Sequence, residues 1–166
     1  MRIGHGYDAH RLAAGRRLVL GGVTIPYERG LAAHSDGDVL VHALCNALLG
    51  AAGLGDIGRH FPDSDAQYKD ADSRVLLRRV ALMLQEHNLG ISNIDSTLVA
   101  QAPRLAPYVE AMRNLLADDL DMHPLRINIK AATTEGMGYI GRGEGIEAHV
   151  VVMLEELYPG AAVKDE

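Results

Sequence analysis

The segment 150–154 constrains the fold more than any other part of the chain, because its five residues, Val-Val-Val-Met-Leu, are all apolar. Successive side chains of a strand point to opposite faces of a sheet, so this strand would be apolar on both faces. Three predicted helices can cover only one face. Val151 and Met153 would then lie exposed in a single chain, and large exposed apolar patches usually mark an interface. We therefore expect an oligomer.

The rest of the hydrophobic pattern predicts a two-layer domain of the α/β (α+β) class. Helices are predicted at about 36–49, 73–89 and 107–120, with candidate N-caps at Ser35 or Asp36 and at Asp72 or Ser73. Strands are predicted at about 1–10, 94–100, 127–131 and 146–154, and Gly21-Gly22 indicates a hairpin between 18–20 and 23–25. The expected fold is a mixed four-stranded sheet with three helices on one face and a small N-terminal hairpin. One domain would span 1–158, followed by a C-terminal tail over 159–166.

The composition narrows the possible partners. The chain has 166 residues, with 16 Lys and Arg against 22 Asp and Glu, and a formal net charge of −6. This acidity argues against nucleic acid or an anionic membrane as the main partner. Cys45 is the single cysteine and cannot form an internal disulfide. No stretch reaches the roughly 18 apolar residues of a membrane span, so we expect a soluble cytoplasmic protein.

Two short clusters offer metal ligands. Asp8 and His10 are two residues apart and would share one face of an extended segment. Asp38 and His42 are four residues apart and would share a helix face, where Asp38 could orient the imidazole. Asp8, His10 and His42 together form the three-ligand pattern of a catalytic zinc site, although the same set suits non-haem iron. A hydrogen-bonded core histidine is the alternative interpretation of His42.

Two further clusters combine glycines with polar side chains. Residues 55–65 could bind a polyol or a second cation, or could form a solvated turn. The hydroxyls of Thr133 and Thr134 could contact phosphate oxygens, and Glu135 could hold Mg²⁺. Arg142, in the Gly-rich loop that follows, could pair with an anion. A polar loop without chemistry is the alternative for this second cluster.

The pattern G-x-G-x-x-G occurs at 53–58 and at 136–141. A dinucleotide-binding fingerprint follows a strand and opens a helix. The first match follows a predicted helix and the second leads into a predicted strand, so we expect no NAD-type site at either place.

Seven motifs are spread along nearly the whole chain. They are Gly-His-Gly-Tyr-Asp-Ala-His at 4–10, Ser-Asp-Gly-Asp-Val-Leu-Val-His-Ala-Leu-Cys-Asn-Ala at 35–47, Gly-Asp-Ile-Gly at 55–58, Phe-Pro-Asp at 61–63, Ala-Gln-Ala-Pro at 100–103, Thr-Thr-Glu at 133–135 and Gly-Arg-Gly-Glu-Gly at 141–145. This set resembles the 2-C-methyl-D-erythritol 2,4-cyclodiphosphate synthase family of the non-mevalonate isoprenoid pathway. The resemblance implies a homotrimer whose sheets face the threefold axis and whose active sites lie between subunits.

The resemblance also implies a reaction. The family converts 4-diphosphocytidyl-2-C-methyl-D-erythritol 2-phosphate to the 2,4-cyclodiphosphate, as the 2-phosphate attacks the β-phosphorus and CMP leaves. Such an intramolecular reaction needs positioning and charge neutralisation rather than a protein nucleophile.

The implied roles follow the matching positions. Zn²⁺ is expected on Asp8, His10 and His42, a second cation, Mg²⁺ or Mn²⁺, on Glu135, and transition-state stabilisation from His34 and Thr133. The positions that match substrate contacts are Ser35, Asp56, Gly58, Phe61, Asp63, Asp65, Ala100, Pro103, Arg104, Leu105, Ala106, Ala131, Ala132, Thr134, Tyr139 and Arg142. Positions matching Tyr7, Arg142 and Glu144 imply that an isoprenoid diphosphate binds in a cavity on the threefold axis.

The chain departs from the family pattern at Tyr7, Asn46, Arg104, Ala132 and Gly136, none of which is a metal ligand. Two other functions are compatible with the residues. A metal-dependent phosphohydrolase could use the same ligands to activate water. A trimeric module that binds isoprenoid diphosphates could hold a purely structural metal, but structural zinc normally has four protein ligands.

Overall fold

The computed structural model of the protein describes residues 1–62 and 71–157. This part of the chain contains the strands β1 (Arg2–Ala14), β2 (Leu18–Leu20), β3 (Val23–Ile25), β4 (Arg29–Leu31), β5 (Leu89–Val99), β6 (Ile127–Ala132) and β7 (Gly145–Glu156). Five strands form one sheet in the order β4-β1-β7-β5-β6, and β2 pairs with β3 in the predicted hairpin. β5 and β6 are parallel and the other neighbours are antiparallel, which confirms the mixed sheet. The predicted number of four strands is wrong, because β4 is too short to show an alternating pattern.

Helices cover one face of the sheet, as the sequence predicted. They are α1 (Val39–Ala52), α2 (Ile57–His60), α3 (Ser73–Glu86), α4 (Val109–Leu120) and α5 (Gly138–Gly141). The three long helices, α1, α3 and α4, pack over alternate residues of the central strands. In β7 these buried residues are Ile146, Ala148, Val150, Val152 and Leu154. The single turns α2 and α5 are too short for sequence periodicity to indicate.

β1 contacts α1 closely because two glycines of β1 lie beneath the helix. A Cβ atom on Gly6 would stand 1.8 Å from the carbonyl oxygen of Ala43, and one on Gly4 would stand 2.0 Å from that of Ala47. Any side chain at these positions would push the helix away from the strand. The two glycines therefore bring the residues that follow them on β1 close to the start of α1.

α1 begins later than the sequence predicted. Asp38 caps the helix, because its side chain accepts the N–H of Val41. The predicted caps Ser35 and Asp36 are wrong, since their side chains form hydrogen bonds with Ser73. The helix therefore starts beyond the polar segment and runs to Ala52.

Other boundaries also differ from the predictions. β5 begins at Leu89, five residues before the predicted start, and α3 ends at Glu86 rather than near Gly90. Each G-x-G-x-x-G match runs into a helix, α2 or α5, contrary to expectation. Both helices are single turns, unlike the long helix that a dinucleotide-binding fingerprint opens.

The second face of the sheet has exposed apolar side chains. Ile3 is 71% exposed, Tyr7 46% and Val151 44%. The exposure of Val151 agrees with the prediction, whereas Met153 is half-buried. This face therefore offers an apolar surface that the described part of the chain leaves uncovered.

Some predictions fall outside the described residues. These are the domain boundary at 158, the tail over 159–166 and the site residues Asp63 and Asp65. Within the described ranges, no helix has both the length and the apolar character needed to cross a membrane.

Candidate metal centre

The three predicted metal ligands converge between β1 and α1. Asp8 and His10 lie two residues apart on β1, and His42 lies in the first turn of α1. His10 Nε2 is 3.0 Å from His42 Nδ1. Asp8 Oδ2 is 3.1 Å from His42 Nδ1 and 3.3 Å from His10 Nε2. In residues 1–62 and 71–157, this is the one group of three such side chains close enough to share a metal ion.

The spacing of the three ligand atoms fits a zinc ion. Bonds of about 2.0 Å in a tetrahedral site place two ligand atoms about 3.3 Å apart. The observed separations of 3.0, 3.1 and 3.3 Å approach this value. Three protein ligands leave a fourth position for water or substrate, which is typical of a catalytic rather than a structural site. The same ligands also suit iron.

Hydrogen bonds behind the two imidazoles turn their free nitrogens toward each other. His10 Nδ1 lies 2.9 Å from the carbonyl oxygen of Ala9, which can only accept, so this nitrogen donates. His42 Nε2 lies 2.9 Å from Ser73 Oγ, which gives its own proton to Asp36, so Nε2 also donates. The other nitrogen of each neutral ring then has no proton and presents a lone pair. Two lone pairs that face each other beside a carboxylate favour a cation between them.

The electrostatics of the site favour positive charge at the same point. Burial lowers the pKa of His10, which keeps this ligand neutral. Burial would also lower the pKa of His42, but the hydrogen bond and the charge of Asp8 raise it. Burial opposes ionisation of Asp8, yet its bond to His42 and the charges of both imidazoles hold its pKa below the usual value. A proton on His42 Nδ1 and a metal ion are alternative sources of the charge that Asp8 stabilises.

Asp38 does not orient His42, contrary to the prediction. Its fully buried carboxylate accepts the N–H of Val41 and both N–H groups of the β2–β3 turn. Ser73 contacts His42 instead, from a position 31 residues further along the chain. Helical spacing could not have indicated this contact.

The metal ligands lie in a pocket of about 490 Å³ together with several predicted substrate residues. His34, Ser35, Gly58 and Phe61 line this metal pocket, as does Asn46. His34 Nε2 is buried and has no hydrogen-bond partner in the described part of the chain. The pocket thus combines a metal site with an unpartnered polar atom that a ligand could satisfy.

Two side chains hold the start of α2 beside this pocket by accepting hydrogen bonds from its backbone. Asn46 Oδ1 accepts the N–H of Ile57 at 2.9 Å. Asp56, a predicted substrate residue, caps the helix by accepting the N–H of Arg59 at 2.9 Å. Asn46, one of the expected departures from the family pattern, therefore holds the start of α2.

A second cleft, of about 280 Å³, lies where β5 and β6 end side by side. Its walls contain Ala100, Gln101, Pro103, Arg104, Leu105, Ala106, Ala131, Ala132 and Thr133. Apart from Gln101, all of these were predicted, but no residue lines both this cleft and the metal pocket. β7 and β5 separate β1 from β6. Three strand spacings amount to about 14 Å, so the two sites are well separated within one chain.

Glu135 lies in the exposed turn after β6, away from the metal pocket. Its φ of 52° is in the left-handed region, and its N–H donates to Thr133 Oγ1 at 3.2 Å. The Thr134 hydroxyl donates to the carbonyl of Met137 at 2.6 Å. Glu135 belongs to no group of three metal-binding side chains in the described ranges. A cation there would need further ligands from substrate or from another chain.

Tyr139 and Arg142 lie together beside a third pocket, of about 540 Å³. The Tyr139 hydroxyl donates to Glu147 and lies 3.2 Å from the Tyr7 hydroxyl. Arg142 Nε donates to Glu144 at 2.6 Å. These two predicted substrate residues therefore belong neither to the metal pocket nor to the second cleft.

The third pocket also contains basic residues that sequence reasoning missed. Arg11 and Arg29 line it, and it borders His10. Arg29 donates to the carbonyl of Gly143 at 2.9 Å. In the sequence, Arg11 could have been noticed because it directly follows a predicted metal ligand. Nothing in the sequence pointed to Arg29.

The fold and the site define a two-layer α+β protein with a group of one carboxylate and two histidines, between strand and helix, that could hold a metal ion. Residues 1–155 match the model of the YgbB family, and the chain belongs to that family. It is 63% identical to the 2-C-methyl-D-erythritol 2,4-cyclodiphosphate synthase of Nitrosococcus oceani over 156 residues, which cover 94% of this chain and 99% of that protein. It is 61% identical to the synthase of Thioalkalivibrio sulfidiphilus over 155 residues, covering 93% and 97%.

Solved structures support the same relationship. The bifunctional IspDF protein of Campylobacter jejuni is 45% identical, with a TM-score of 0.91, and the match covers 94% of this chain and 42% of that one. IspF of Plasmodium falciparum in complex with CDP is 31% identical, with a TM-score of 0.84, and the match covers 95% and 97%. The family resemblance indicated by the sequence motifs is thus confirmed.

Proposed function

We propose that the chain is a 2-C-methyl-D-erythritol 2,4-cyclodiphosphate synthase. It would convert 4-diphosphocytidyl-2-C-methyl-D-erythritol 2-phosphate to the cyclic diphosphate and CMP. A 2-phosphate oxygen bonds to the β-phosphorus, and the bond from that phosphorus to the oxygen of CMP breaks. The observation that supports this most directly is the convergence of Asp8, His10 and His42 in a pocket that His34 and Ser35 also line.

The metal pocket would hold the reacting phosphates. Asp8, His10 and His42 would hold Zn²⁺, which when bound neutralises charge on the transferring phosphoryl group. His34 has a buried nitrogen without a protein partner and would donate to a phosphoryl oxygen. Gly58 and Phe61 would contact the erythritol part. These residues orient the 2-phosphate toward the β-phosphorus, and positioning can supply much of the rate of an intramolecular reaction.

The second cleft would hold the cytidine end of the substrate. Its walls are mostly small and apolar, with a hydroxyl at Thr133 and a guanidinium at Arg104. Thr133 would contact the diphosphate, and Glu135 in the following turn would hold Mg²⁺ or Mn²⁺. The CDP complex of the Plasmodium falciparum relative supports a cytidine nucleotide as ligand.

The active site would be completed between subunits of a homotrimer. The metal ligands of β1 lie two strand spacings, about 10 Å, from β5 and three spacings, about 14 Å, from β6. The ends of β5 and β6 form the second cleft, so Thr133 after β6 and the triad are too far apart to contact one phosphorus. A neighbouring copy would therefore supply the second cleft. The uncovered sheet face, with Ile3, Tyr7 and Val151, would lie against the threefold axis.

Two further parts of the proposal concern the axis and the location. An isoprenoid diphosphate would bind near Tyr7, Arg142 and Glu144, where Arg142 and Tyr139 line one pocket and the Tyr139 hydroxyl lies 3.2 Å from that of Tyr7. The location would be the cytoplasm, since Cys45 is buried and unpaired and needs no oxidising compartment.

A product assay on the purified protein, combined with metal analysis, tests the function. We expect equal amounts of cyclic diphosphate and CMP, and about one zinc per chain. Release of an opened phosphate monoester instead would indicate a phosphohydrolase. Absence of any product, with metal bound, would indicate a binding module.

A further inference from the structure

We propose that Ser73 and Asp36 form a hydrogen-bond relay that positions His42 as a metal ligand. Ser73 is then a positioning residue of the metal centre. The inference rests on the proposed function only in taking the metal to be Zn²⁺.

The relay is a continuous chain of short contacts. Ser73 is fully buried, and its Oγ lies 2.9 Å from His42 Nε2. The Ser73 hydroxyl donates to Asp36 Oδ1, and the Ser73 N–H donates to Asp36 Oδ2 at 3.0 Å. Asp36 thus holds both the backbone and the side chain of Ser73.

The direction of the hydrogen bonds determines the tautomer of His42. A serine hydroxyl has one proton, and in Ser73 that proton goes to Asp36. The oxygen then presents a lone pair to His42 Nε2, which must carry the ring proton. Nδ1 is left free, on the side where Asp8 Oδ2 lies at 3.1 Å and His10 Nε2 at 3.0 Å. The relay therefore selects the tautomer that can bind a metal ion at this point.

Apart from a contact of 3.4 Å with Ser35 Oγ, the Ser73 hydroxyl has no partner outside the relay in residues 1–62 and 71–157. A serine at the start of a helix often serves as the N-cap, but Asp72 caps α3 by accepting the N–H of Arg74 at 2.9 Å. The side chain of Ser73 is consequently free to face His42. Its burial next to a metal ligand is explained by the relay and not by helix capping.

Ser35 does not duplicate this role. Its Oγ lies 3.1 Å from His42 Nε2 and accepts the N–H of Gly37 at 3.3 Å. In the described part of the chain, no carboxylate accepts the Ser35 proton, so this hydroxyl can rotate and either donate or accept. Ser73, whose proton is committed to Asp36, is the group that fixes the tautomer.

Asp36 is itself held in place. Its N–H donates to the carbonyl of Ala71 at 3.1 Å, and its Oδ1 accepts the N–H of Asp38 at 3.0 Å. The relay therefore joins the segment before α1 to the segment that begins α3. Its geometry depends on the packing of these two helices and not on a mobile surface side chain.

The test compares the zinc affinity of four variants with that of the original protein by competition with a chelator. We expect Ser73→Ala and Asp36→Asn to bind zinc roughly 10- to 100-fold more weakly, as for other groups that orient metal ligands. Ser73→Thr keeps the hydroxyl and should bind within a few-fold of the original protein. Ser96→Ala is the matched control, because Ser96 is also buried and its hydroxyl donates to the carbonyl of Asn128, away from the site.

NMR of the zinc-loaded protein supplies the second readout. We expect the proton on His42 Nε2 to be hydrogen-bonded and slow to exchange with water in the original protein and in Ser73→Thr, and to exchange faster with a shifted signal in Ser73→Ala. If Ser73→Ala does not fold, Asp36→Asn provides the same comparison. Unchanged zinc affinity or an unchanged signal of the His42 Nε2 proton would overturn the relay. If the variants bind zinc more weakly but the original, zinc-loaded protein makes no cyclic product, the relay stands and the proposed function is refuted.

Discussion

The metal triad and the turn after β6 differ in how firmly the chain holds their side chains. Asp8 and His10 lie on β1, which contacts α1 at glycines too close for any side chain, and His42 is bonded from behind by Ser73. In the turn, Thr133 and Glu135 are exposed, and the contact between them is a hydrogen bond from the Glu135 N–H to Thr133 Oγ1.

In the proposed homotrimer, this difference would correspond to a division of labour between copies of the chain. Ligands that are positioned by buried packing can bind metal without help from a partner. Exposed groups on a turn reach a defined geometry only when something else contacts them, because each must lose rotamer freedom on ordering. On the proposed function, one chain would supply a complete set of metal ligands on β1 and α1 and, about 14 Å away across the sheet at the end of β6, half of a second site.

His42→Ala, which removes one ligand of the triad, should have the largest effect. We expect loss of bound zinc and a decrease in turnover of roughly a thousandfold, because a ligand and the charge neutralisation it supports both disappear. The fold should persist, as judged by circular dichroism. His87→Ala is the control, since His87 is exposed at the end of α3 and its ring Nδ1 contacts the carbonyl of Met83, away from the triad. A His42→Ala protein with its full zinc content would contradict the assignment.

Asp38→Ala tests the packing beneath the triad. We expect the free energy of unfolding to fall by about 3 kcal/mol, because three buried N–H groups lose their acceptor. Glu135→Ala should change it by less than about 0.5 kcal/mol, as is usual for exposed positions. Urea denaturation measures both. Equal losses in the two variants would remove the contrast between the regions.

Glu135→Gln tests the turn itself. The substitution keeps the size of the side chain and removes its charge, so a divalent cation should bind more weakly. At low Mg²⁺ we expect turnover to fall about 10- to 100-fold, with partial recovery at high Mg²⁺ or Mn²⁺ and unchanged zinc content. Full activity at low Mg²⁺ would show that Glu135 is only a turn residue.

Gln101→Ala should have the smallest effect. Gln101 Oε1 accepts the N–H of Gly136 at 3.0 Å and so steadies the turn. Loss of one exposed hydrogen bond costs about 0.5–1 kcal/mol, which corresponds to a two- to fivefold rise in KM. Steady-state kinetics should show kcat nearly unchanged. A large decrease in kcat would mean that the turn is positioned within one chain.

The sequence predicted the long helices and most of the strands because these depend on local spacing. It indicated the full metal triad through the family resemblance of two separate motifs, since His42 lies 32 residues after His10. Asp8 and His10 share a strand face, and the glycines that let β1 approach α1 lie in the same motif. The sequence could not predict β4, whose three residues leave too little pattern, or the start of β5, where Gly90 and a bulge interrupt the alternation.

The orientation of His42 was predicted wrongly for a different reason. Helical spacing favoured Asp38, but backbone groups of a separate hairpin occupy its carboxylate. Ser73 and Asp36 are 37 residues apart and meet only after α1 and α3 pack together. Contacts that depend on tertiary packing leave no periodic signal in the sequence.

In the proposed homotrimer, each active site would take its metal triad from one chain and Thr133 from the next. To test this arrangement directly, His42→Ala chains and Thr133→Ala chains are given different affinity tags and refolded together. Assemblies isolated through both tags contain both chain types. The two variants refolded separately and combined just before the assay are the control.

In a mixed trimer, one interface in three pairs an intact triad with an intact Thr133. We therefore expect about a third of the activity of the original protein in the doubly tagged assemblies, and almost none in the control. Mixed trimers that remain as inactive as the separate variants would contradict the claim and show that each site is built within a single chain.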